Sequence, residues 1–239
     1  TPRATIRYSP NGNGTNRSKS NYLLNYNNAF SLNRSGSNST VEGGEALTLG
    51  IEFKRDVFSK GNIINAKIGN VLRPKEDKKL PSKSGLDQTR SDIFGDIKYK
   101  LNNNIKLGYN FSYDRDLEYS NLDSFNINFS INNFVTKFDY YTKNHDFGDE
   151  ETLKNSTRLN LNRENNLTFK TSKDLSDNFT EYYDLVYQYI TDCLSIDLNY
   201  KKTFYSDGNI EPDETLSFLL RIIPFTEFGV PNIGNVINK

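Results

Sequence analysis

Several residue types that carry chemistry are scarce in this sequence. It contains one Cys, one His and neither Met nor Trp, so it lacks the Cys/His cluster of a structural zinc site and the histidines of multi-histidine chemistry. No run of apolar residues approaches the roughly 20 that a membrane-spanning helix needs. The 30 basic residues are balanced by 30 acidic ones, so the net positive charge typical of nucleic-acid-binding proteins is missing. The sequence predicts no metal or other cofactor, and no nucleic-acid partner.

Hydrophobic residues are also few, yet aromatic residues are many. The hydrophobic fraction is 35% and the mean hydropathy is −0.72, values that disordered chains also have. Disordered chains are poor in aromatics, whereas this one has 15 Tyr and 16 Phe. We therefore expect a folded chain with an unusual distribution of apolar side chains.

From about residue 43 onward, apolar and polar residues alternate with period two, which indicates β-strands. Helical stripes with i, i+3, i+4 spacing are absent, so we predict an all-β chain. The clearest alternating runs are Ile93–Leu101, Ile105–Tyr113, Phe125–Ile131, Phe134–Tyr140, Leu194–Tyr200 and Leu216–Ile222.

The predicted turns alternate in length. Short ones at Asn102–Asn104, Asn132-Asn133, Asn162–Asn165 and Thr191-Asp192 alternate with longer polar ones at 72–90, 114–119, 143–150, 173–179 and 206–212. This asymmetry, with strands of roughly 10–14 residues, is typical of an antiparallel up-and-down transmembrane β-barrel. We predict a segment of about 11–12 such strands. The alternative is a soluble β-sandwich with the aromatics in its core.

Three regions are expected along the chain. Residues 1–42 are interpreted as one strand ending near Pro10 and a long Asn/Ser/Gly-rich loop, partly ordered by its aromatics. Residues 43–229 hold the C-terminal barrel strands, and residues 230–239 form a tail. Because the sequence starts at Thr1, we expect either a removed signal peptide or the C-terminal part of a longer protein.

Four parts of the chain resemble the C-terminal barrel portion of the LptD family of lipopolysaccharide-assembly proteins. The first is RYSPN with FSLNRSG and VEGG, and the second is the loop that leads into a strand at Leu80–Ile97. The third and fourth parts, Tyr187–Asp207 and Asn209–Gly229, are the most specific. The segments are Arg7–Asn11, Phe30–Gly36, Val41–Gly44, Leu80–Ile97, Tyr187–Asp207 and Asn209–Gly229.

The resemblance implies a non-enzymatic transport role at the bacterial outer membrane. A protein of this family receives lipopolysaccharide from a periplasmic bridge protein and inserts it into the outer leaflet of the membrane lipids. It also implies a plug lipoprotein, LptE, in the lumen and a lateral opening between the first and last strands. The family's barrel is larger, so this chain would be part of it. The alternative is a general porin or passive channel, which has no reason to carry Cys193 or the IEPDETLSF segment.

The last predicted strand supplies candidates for the lateral seam. Proline has no N–H and removes a hydrogen bond from the strand ladder, so Pro224 could weaken closure of the barrel. The alternative is that Pro224 merely ends the strand. The candidates are Pro224 with Leu216, Phe218, Leu220 and Ile222.

Cys193 follows a short turn, at the expected periplasmic end of the barrel. The periplasm is oxidising, and the resemblance implies a disulfide between this residue and an N-terminal domain. The alternative is a free thiol at a strand end.

Two loops carry further candidates. The loop at 72–90 is locally basic, and its cations could contact lipopolysaccharide phosphates or only keep the loop solvated. His145 could belong to a barrel-enzyme site, but no nucleophile motif accompanies it, so we expect a solvated histidine. The acidic group beside it lacks the spacing of a calcium loop. The basic residues are Lys75, Lys78, Lys79, Lys83 and Arg90, and the acidic ones are Asp146, Asp149, Glu150 and Glu151.

Overall fold

The structure, a computed structural model, describes residues 1–10, 23–31, 34, 42–57, 62–80, 82–83, 85–204, 211–222 and 226–229. These residues form thirteen strands, one short α-helix and one short 3₁₀ helix. The helices are α1 (Tyr26–Ala29) and the 3₁₀ turn His145–Phe147, and no described helix is long and apolar enough to cross a membrane. The strands are β1 (Pro2–Ser9), β2 (Gly44–Val57), β3 (Asn62–Leu72), β4 (Ile93–Lys100), β5 (Ile105–Tyr113), β6 (Ser120–Ile131), β7 (Phe134–Lys143), β8 (Glu150–Asn160), β9 (Asn165–Asp174), β10 (Phe179–Ile190), β11 (Leu194–Thr203), β12 (Asp213–Ile222) and β13 (Thr226–Gly229).

The strands form one sheet whose spatial order is the order along the chain. The registered pairs are antiparallel, as between Ile6 and Leu47 of β1 and β2 or Leu198 and Phe218 of β11 and β12. The predicted all-β, antiparallel, up-and-down chain is thus confirmed, with twelve long strands and a short β13.

The connections between strands alternate in length along most of the chain. Long connections follow β1, β3 and β11, and tight turns follow β4, β6, β8 and β10. One predicted long loop, at 173–179, is shorter than expected. β9 continues to Asp174 and β10 starts at Phe179, because the polar residues of this stretch extend the ladder instead of leaving it.

The chain divides into two compact units. Unit 1 is Thr1–Asn126 with Tyr141–Glu150, and unit 2 is Ile127–Tyr140 with Glu151–Lys239. The period-two alternation gives each unit one apolar and one polar side of its strands, which we call the apolar face and the polar face.

The apolar face is exposed and much of the polar face is buried. In unit 1, Ile51 and Phe53 are 58% and 53% exposed, and in unit 2 Leu216 is 70% exposed. Opposite them, Thr48 in unit 1 and Asp197 in unit 2 are each only 2% exposed. Soluble proteins show the reverse distribution. Aromatic residues expected in a sandwich core, such as Phe125 and Phe138, are also exposed, so the soluble-sandwich alternative is wrong for the described residues.

Candidate functional site

A short segment of unit 1 folds onto the polar face of its strands. Asn25 caps α1, accepting hydrogen bonds from the backbone N–H groups of Asn27 and Asn28, while Asn28 bonds back to the Asn25 N–H in a capping box. Tyr26 and Ala29 of this turn are buried. They belong to an apolar cluster formed by Leu24, Tyr26, Ala29, Phe30, Ala46, Val71, Leu80, Leu86 and Phe94.

Gly50 of β2 allows this segment to lie close to the sheet. A Cβ atom at Gly50 would lie 2.7 Å from Cζ of Phe30 and 2.9 Å from Cε2 of Tyr26, which is nearer than real Cβ atoms approach. The two rings themselves are tilted, with centroids 5.0 Å apart. The absence of a side chain at residue 50 therefore makes room for both rings.

A buried charge cluster, which we call the Glu42 cluster, lies next to this segment. Arg34 donates from Nε to Oε2 of Glu42 at 2.8 Å and also pairs with Oε1. Arg73 donates from Nη1 to Glu42 Oε1 at 2.6 Å. Arg7 lies 3.3 Å from Glu42 Oε2 and donates to the Glu42 carbonyl at 3.1 Å. One carboxylate thus holds three guanidinium groups, and Arg34, Glu42 and Arg73 are all buried.

The Glu42 cluster also reaches α1 and β2. Arg34 donates from Nη1 to Thr48 Oγ1 at 3.0 Å, and Thr48 donates to the Ala29 carbonyl at 3.3 Å. Arg73 donates from Nη2 to the Gly43 carbonyl at 2.7 Å. Charge-assisted hydrogen bonds of this kind are the stronger ones in proteins. The cluster therefore joins β1, the segment around α1, β2 and the start of the loop after β3.

The basic loop after β3 folds back on itself. The N–H of Arg73 donates to the Thr89 carbonyl and the N–H of Asp77 to the Asp87 carbonyl, both at 2.8 Å. Leu80 and Leu86 of the loop are buried.

The five predicted basic residues of this loop do not share one environment. Lys75, Lys78 and Lys79 are exposed and Lys83 is half-buried. Arg90 donates to the Arg115 carbonyl at 2.6 Å and to Asp116 at 3.0 Å. Arg90 is exposed as well, but its guanidinium group is engaged by Arg115 and Asp116.

A cleft of about 410 Å³ separates the segment before α1 from the polar face of β4 to β6 in unit 1. Asp96 of β4 and Asn110 of β5 lie opposite each other in the ladder and both line it. Among the described residues, neither the Asp96 Oδ2 atom nor the Tyr26 hydroxyl has a hydrogen-bond partner by geometry, although both are buried. Burial raises the pKa of Tyr26 and nearby Glu52 adds to the rise, while Arg3 opposes it. The hydroxyl therefore stays protonated and can donate.

The polar face of unit 2 carries a chain of side chains that crosses four strands. Asn166 donates to Gln188 at 3.1 Å, Gln188 donates to Asp197 Oδ1 at 2.6 Å, and Arg221 donates to Asp197 Oδ2 at 3.1 Å. A second pair, Lys170 and Asp184, lies 3.5 Å apart. We call the four residues Asn166, Gln188, Asp197 and Arg221 the unit 2 chain.

The predicted seam residues lie at the end of the described sheet. Leu216, Phe218, Leu220 and Ile222 are registered with residues of the apolar face of β11. On the other side of β12, Leu220 pairs with Phe228 and Ile222 with Thr226 of β13. Pro224 lies outside the described residues.

Cys193 and His145 are both exposed in turns. Cys193 immediately precedes β11, and its Sγ lies 3.9 Å from Thr191 Oγ1. The His145 ring lies 4.1 Å from the Tyr119 ring. Glu150 contacts Lys143 at 2.7 Å, and Glu151 accepts from Tyr140 at 2.9 Å. No group of three or more His, Cys, Asp or Glu side chains within the described ranges could hold a metal ion.

Sequence reasoning did not single out Arg34, Glu42, Arg73, Asp96 or Tyr26 as site residues. Arg34 and Glu42 stand in FSLNRSG and VEGG, two motifs that carry the family resemblance, but neither was assigned a role. Charged residues beside aromatics in an otherwise Asn/Ser/Gly-rich stretch were the available signal. Asp96 looked like any polar position of an alternating strand.

Comparison with known proteins adds a family match. The family model described as LptD: LPS transport system D matches residues 1–163. No curated protein matches. Among solved structures, two mutant forms of the porin of Rh. blastica are similar to the chain, each at 9% sequence identity and a TM-score of 0.45. Each alignment covers 81% of this chain and 86% of the porin.

Proposed function

This chain belongs to the LptD family of LPS transport system proteins, and from that premise we propose that it forms part of an outer-membrane β-barrel that inserts lipopolysaccharide into the outer leaflet. The family is one of transport and assembly, so the proposal includes no catalytic residue.

One observation carries the placement in a membrane: the exposed apolar face. In water, rows of exposed Ile, Leu and Phe along neighbouring strands would promote aggregation. Facing hydrocarbon, the same rows are stabilising, and the polar face then meets a wet lumen. Ile51 and Ile68 are paired in one such row in unit 1, and Leu198 and Phe218 are paired in another in unit 2.

We place the lateral exit for the lipid at the end of the sheet that carries β12. Within the described residues, β13 pairs with β12 from Leu219 to Ile222. Leu216 and Phe218, earlier in β12, are the most exposed of the described seam candidates. A proline at residue 224 brings no N–H to a strand ladder. This combination suits a seam that must open.

The family membership also supports proposed partners. Lipopolysaccharide is the substrate, the plug lipoprotein LptE would meet the polar face, and a periplasmic bridge protein would deliver the lipid. For Cys193, we propose a disulfide with another domain of the protein, because its thiol is exposed in a turn at the short-turn end of the strands. A thiol-alkylation gel shift without reductant tests this, and full alkylation of Cys193 would contradict it.

Lys75, Lys78 and Lys79 are proposed to contact lipopolysaccharide phosphates at the cell surface. They are exposed on a loop whose own fold is held by backbone hydrogen bonds and by Leu80 and Leu86. Their charges are therefore not needed to hold the loop together.

The decisive experiment measures export in cells that depend on this protein. We expect Pro224→Ala to slow the appearance of newly made lipopolysaccharide at the cell surface, because it adds a hydrogen-bond donor at the seam. Pro74→Ala, in the loop after β3, is the matched control and should leave the rate unchanged.

The same cells distinguish the alternative function. If depletion of the protein leaves lipopolysaccharide export intact but reduces uptake of small hydrophilic solutes, the chain belongs to a passive channel and the proposal fails. Surface labelling of lipopolysaccharide and solute uptake are measured in parallel.

A further inference from the structure

The cleft in unit 1 has the composition of a binding site for a hydroxyl-rich ligand. Its volume of about 410 Å³ is within the range of small-molecule sites, roughly 300–1,000 Å³. Asp96, Lys98, Asn110 and Ser124 contribute polar groups from three neighbouring strands, and Leu122 and Tyr26 contribute apolar surface. A site with this mixture orients a ligand by a few polar groups against an apolar wall.

Two buried atoms in the cleft lack the partners that buried polar atoms normally have. In the part of the chain that the structure describes, the Tyr26 hydroxyl is a donor without an acceptor, and Asp96 Oδ2 is an acceptor without a donor. Tyr26 is 2% exposed and Asp96 is 9% exposed. Arg3 lies near the Tyr26 hydroxyl and lowers its pKa, but a guanidinium group can only donate, so it offers no acceptor for the hydroxyl proton. A ligand that both accepts and donates would satisfy the two atoms together.

Sugar hydroxyl groups have this property, since each donates once and accepts through two lone pairs. Asn110, directly opposite Asp96 in the ladder, offers an amide that can do the same. A phosphate group would fit less well, because it brings only acceptors to a cleft whose unpaired buried acceptor is a carboxylate. Lys98, two residues after Asp96 on the same strand, also lines the cleft, so the lining carries a positive charge beside the negative one.

We infer that the cleft lined by Tyr26, Asp96 and Asn110 is a binding site for a neutral sugar unit. The inference rests on the proposed function, in which a glycolipid passes this protein, and it names the part of that substrate which the polar face of unit 1 holds. Tyr26 donates to a ring hydroxyl, and Asp96 accepts from the same or a neighbouring hydroxyl.

The test uses the protein purified from outer membranes in detergent. The probe is the oligosaccharide released from lipopolysaccharide by mild acid hydrolysis, which lacks the lipid, and binding is measured by calorimetric titration. Tyr26→Phe removes only the hydroxyl, which donates to no described residue, so it should fold as well as the parent. Both Tyr26→Phe and Asp96→Asn should weaken binding about tenfold, as expected for the loss of one buried hydrogen bond to a ligand.

Asp184→Asn is the matched control. Asp184 is a buried carboxylate on the polar face of unit 2, paired with Lys170, and its substitution should leave oligosaccharide binding unchanged. The inference is overturned if the parent does not bind the oligosaccharide, which would mean that the cleft holds water only, or if both cleft variants bind like the parent.

Surface display of lipopolysaccharide in the same strains separates the inference from the proposed function. If the parent protein does not bind the oligosaccharide but lipopolysaccharide is still exported, the sugar site is wrong and the proposed export function is retained. If the protein binds the oligosaccharide but its depletion does not affect lipopolysaccharide export, the proposed export function is wrong instead.

Discussion

The two units use buried charge on their polar faces in different ways. In unit 1, Glu42 binds three arginines that come from β1, from the segment around α1 and from the loop after β3. In unit 2, Asp197 binds Gln188 and Arg221, which stand on the strands next to its own. The first cluster holds segments outside the sheet, whereas the second joins strands that backbone hydrogen bonds already join.

This difference separates two roles for the polar face. The backbone ladder fixes the strands of unit 2, so the unit 2 chain mainly satisfies polar groups that the strands would otherwise bury alone. In unit 1, by contrast, the segment formed by residues 24–31 and 34 belongs to no described strand ladder. Its position depends on the Glu42 cluster and on the packing of Tyr26 and Phe30 over Gly50. We therefore expect substitutions in the Glu42 cluster of unit 1 to displace the segment around α1. Substitutions in the unit 2 chain should lower the free energy of unfolding and leave the strands in place.

The largest expected effect is that of Glu42→Gln. It replaces the carboxylate that Arg7, Arg34 and Arg73 share with a neutral amide, so that three neighbouring guanidinium groups lose this shared partner. Breaking a buried ion pair from one side costs about 3–5 kcal/mol. We expect the free energy of unfolding in detergent to fall by that amount in urea titrations, and residues 23–31 to become accessible to protease.

Glu45→Gln is the control for this substitution. Glu45 stands on β2 close to Glu42 in sequence but is exposed, so the same chemical change should alter stability by less than about 0.5 kcal/mol. Equal losses for the two variants would mean that the cluster does not hold the segment.

The second effect is that of Asp197→Ala in unit 2. It leaves Gln188 and Arg221 without their shared acceptor, and the loss should be about 2–3 kcal/mol because one partner is charged. The ladder between β10 and β11 remains, so protease should find no new cleavage site. Urea titration and limited proteolysis measure the two parts of this expectation. New cleavage within β10 or β11 would show that the unit 2 chain also fixes the strands.

The sequence predicts the strands and their two faces well, but it does not predict the side-chain clusters on the polar face. Alternation with period two, as from Ile105 to Tyr113, identifies a strand and its two faces because side chains in a strand point to opposite sides in turn. Glu42 and Arg73 are separated by 31 positions, and no local pattern announces that they meet. Likewise, nothing in the sequence around Asp96 distinguishes a carboxylate without a partner from one that is solvated or paired.

The third and smaller effect is that of filling the space next to Gly50. Gly50→Ala places a methyl group against Phe30 and Tyr26, and overpacking of this kind costs about 1–2 kcal/mol. We expect the two rings to move away from β2, which should raise the amide hydrogen exchange of Asn27 and Asn28 at the start of α1 while the strands remain protected. Gly108→Ala is a useful comparison, since the three atoms nearest to a Cβ atom there all belong to the Asn126 side chain. If both variants raise exchange at α1 alike, the close approach at Gly50 is not what positions the segment.

The smallest effect is expected on the apolar face of unit 2, where hydrogen bonds form without any charge. Thr136 and Thr157 share a hydrogen bond of 2.8 Å between their Oγ1 atoms, and the Asn155 amide donates to Thr136 at 3.1 Å. Hydrogen bonds between side chains within a membrane contribute only about 0.6 kcal/mol on average.

A double-mutant cycle with Thr136→Val and Thr157→Val should therefore give a coupling energy of about 0.5–1 kcal/mol. Because valine replaces a hydroxyl with a methyl group that hydrocarbon accepts, each single variant should lose little stability. A coupling energy as large as the loss from Asp197→Ala would contradict the distinction between the faces, since it would mean that neutral hydroxyl groups stabilise the wall as strongly as the buried charges of the polar face.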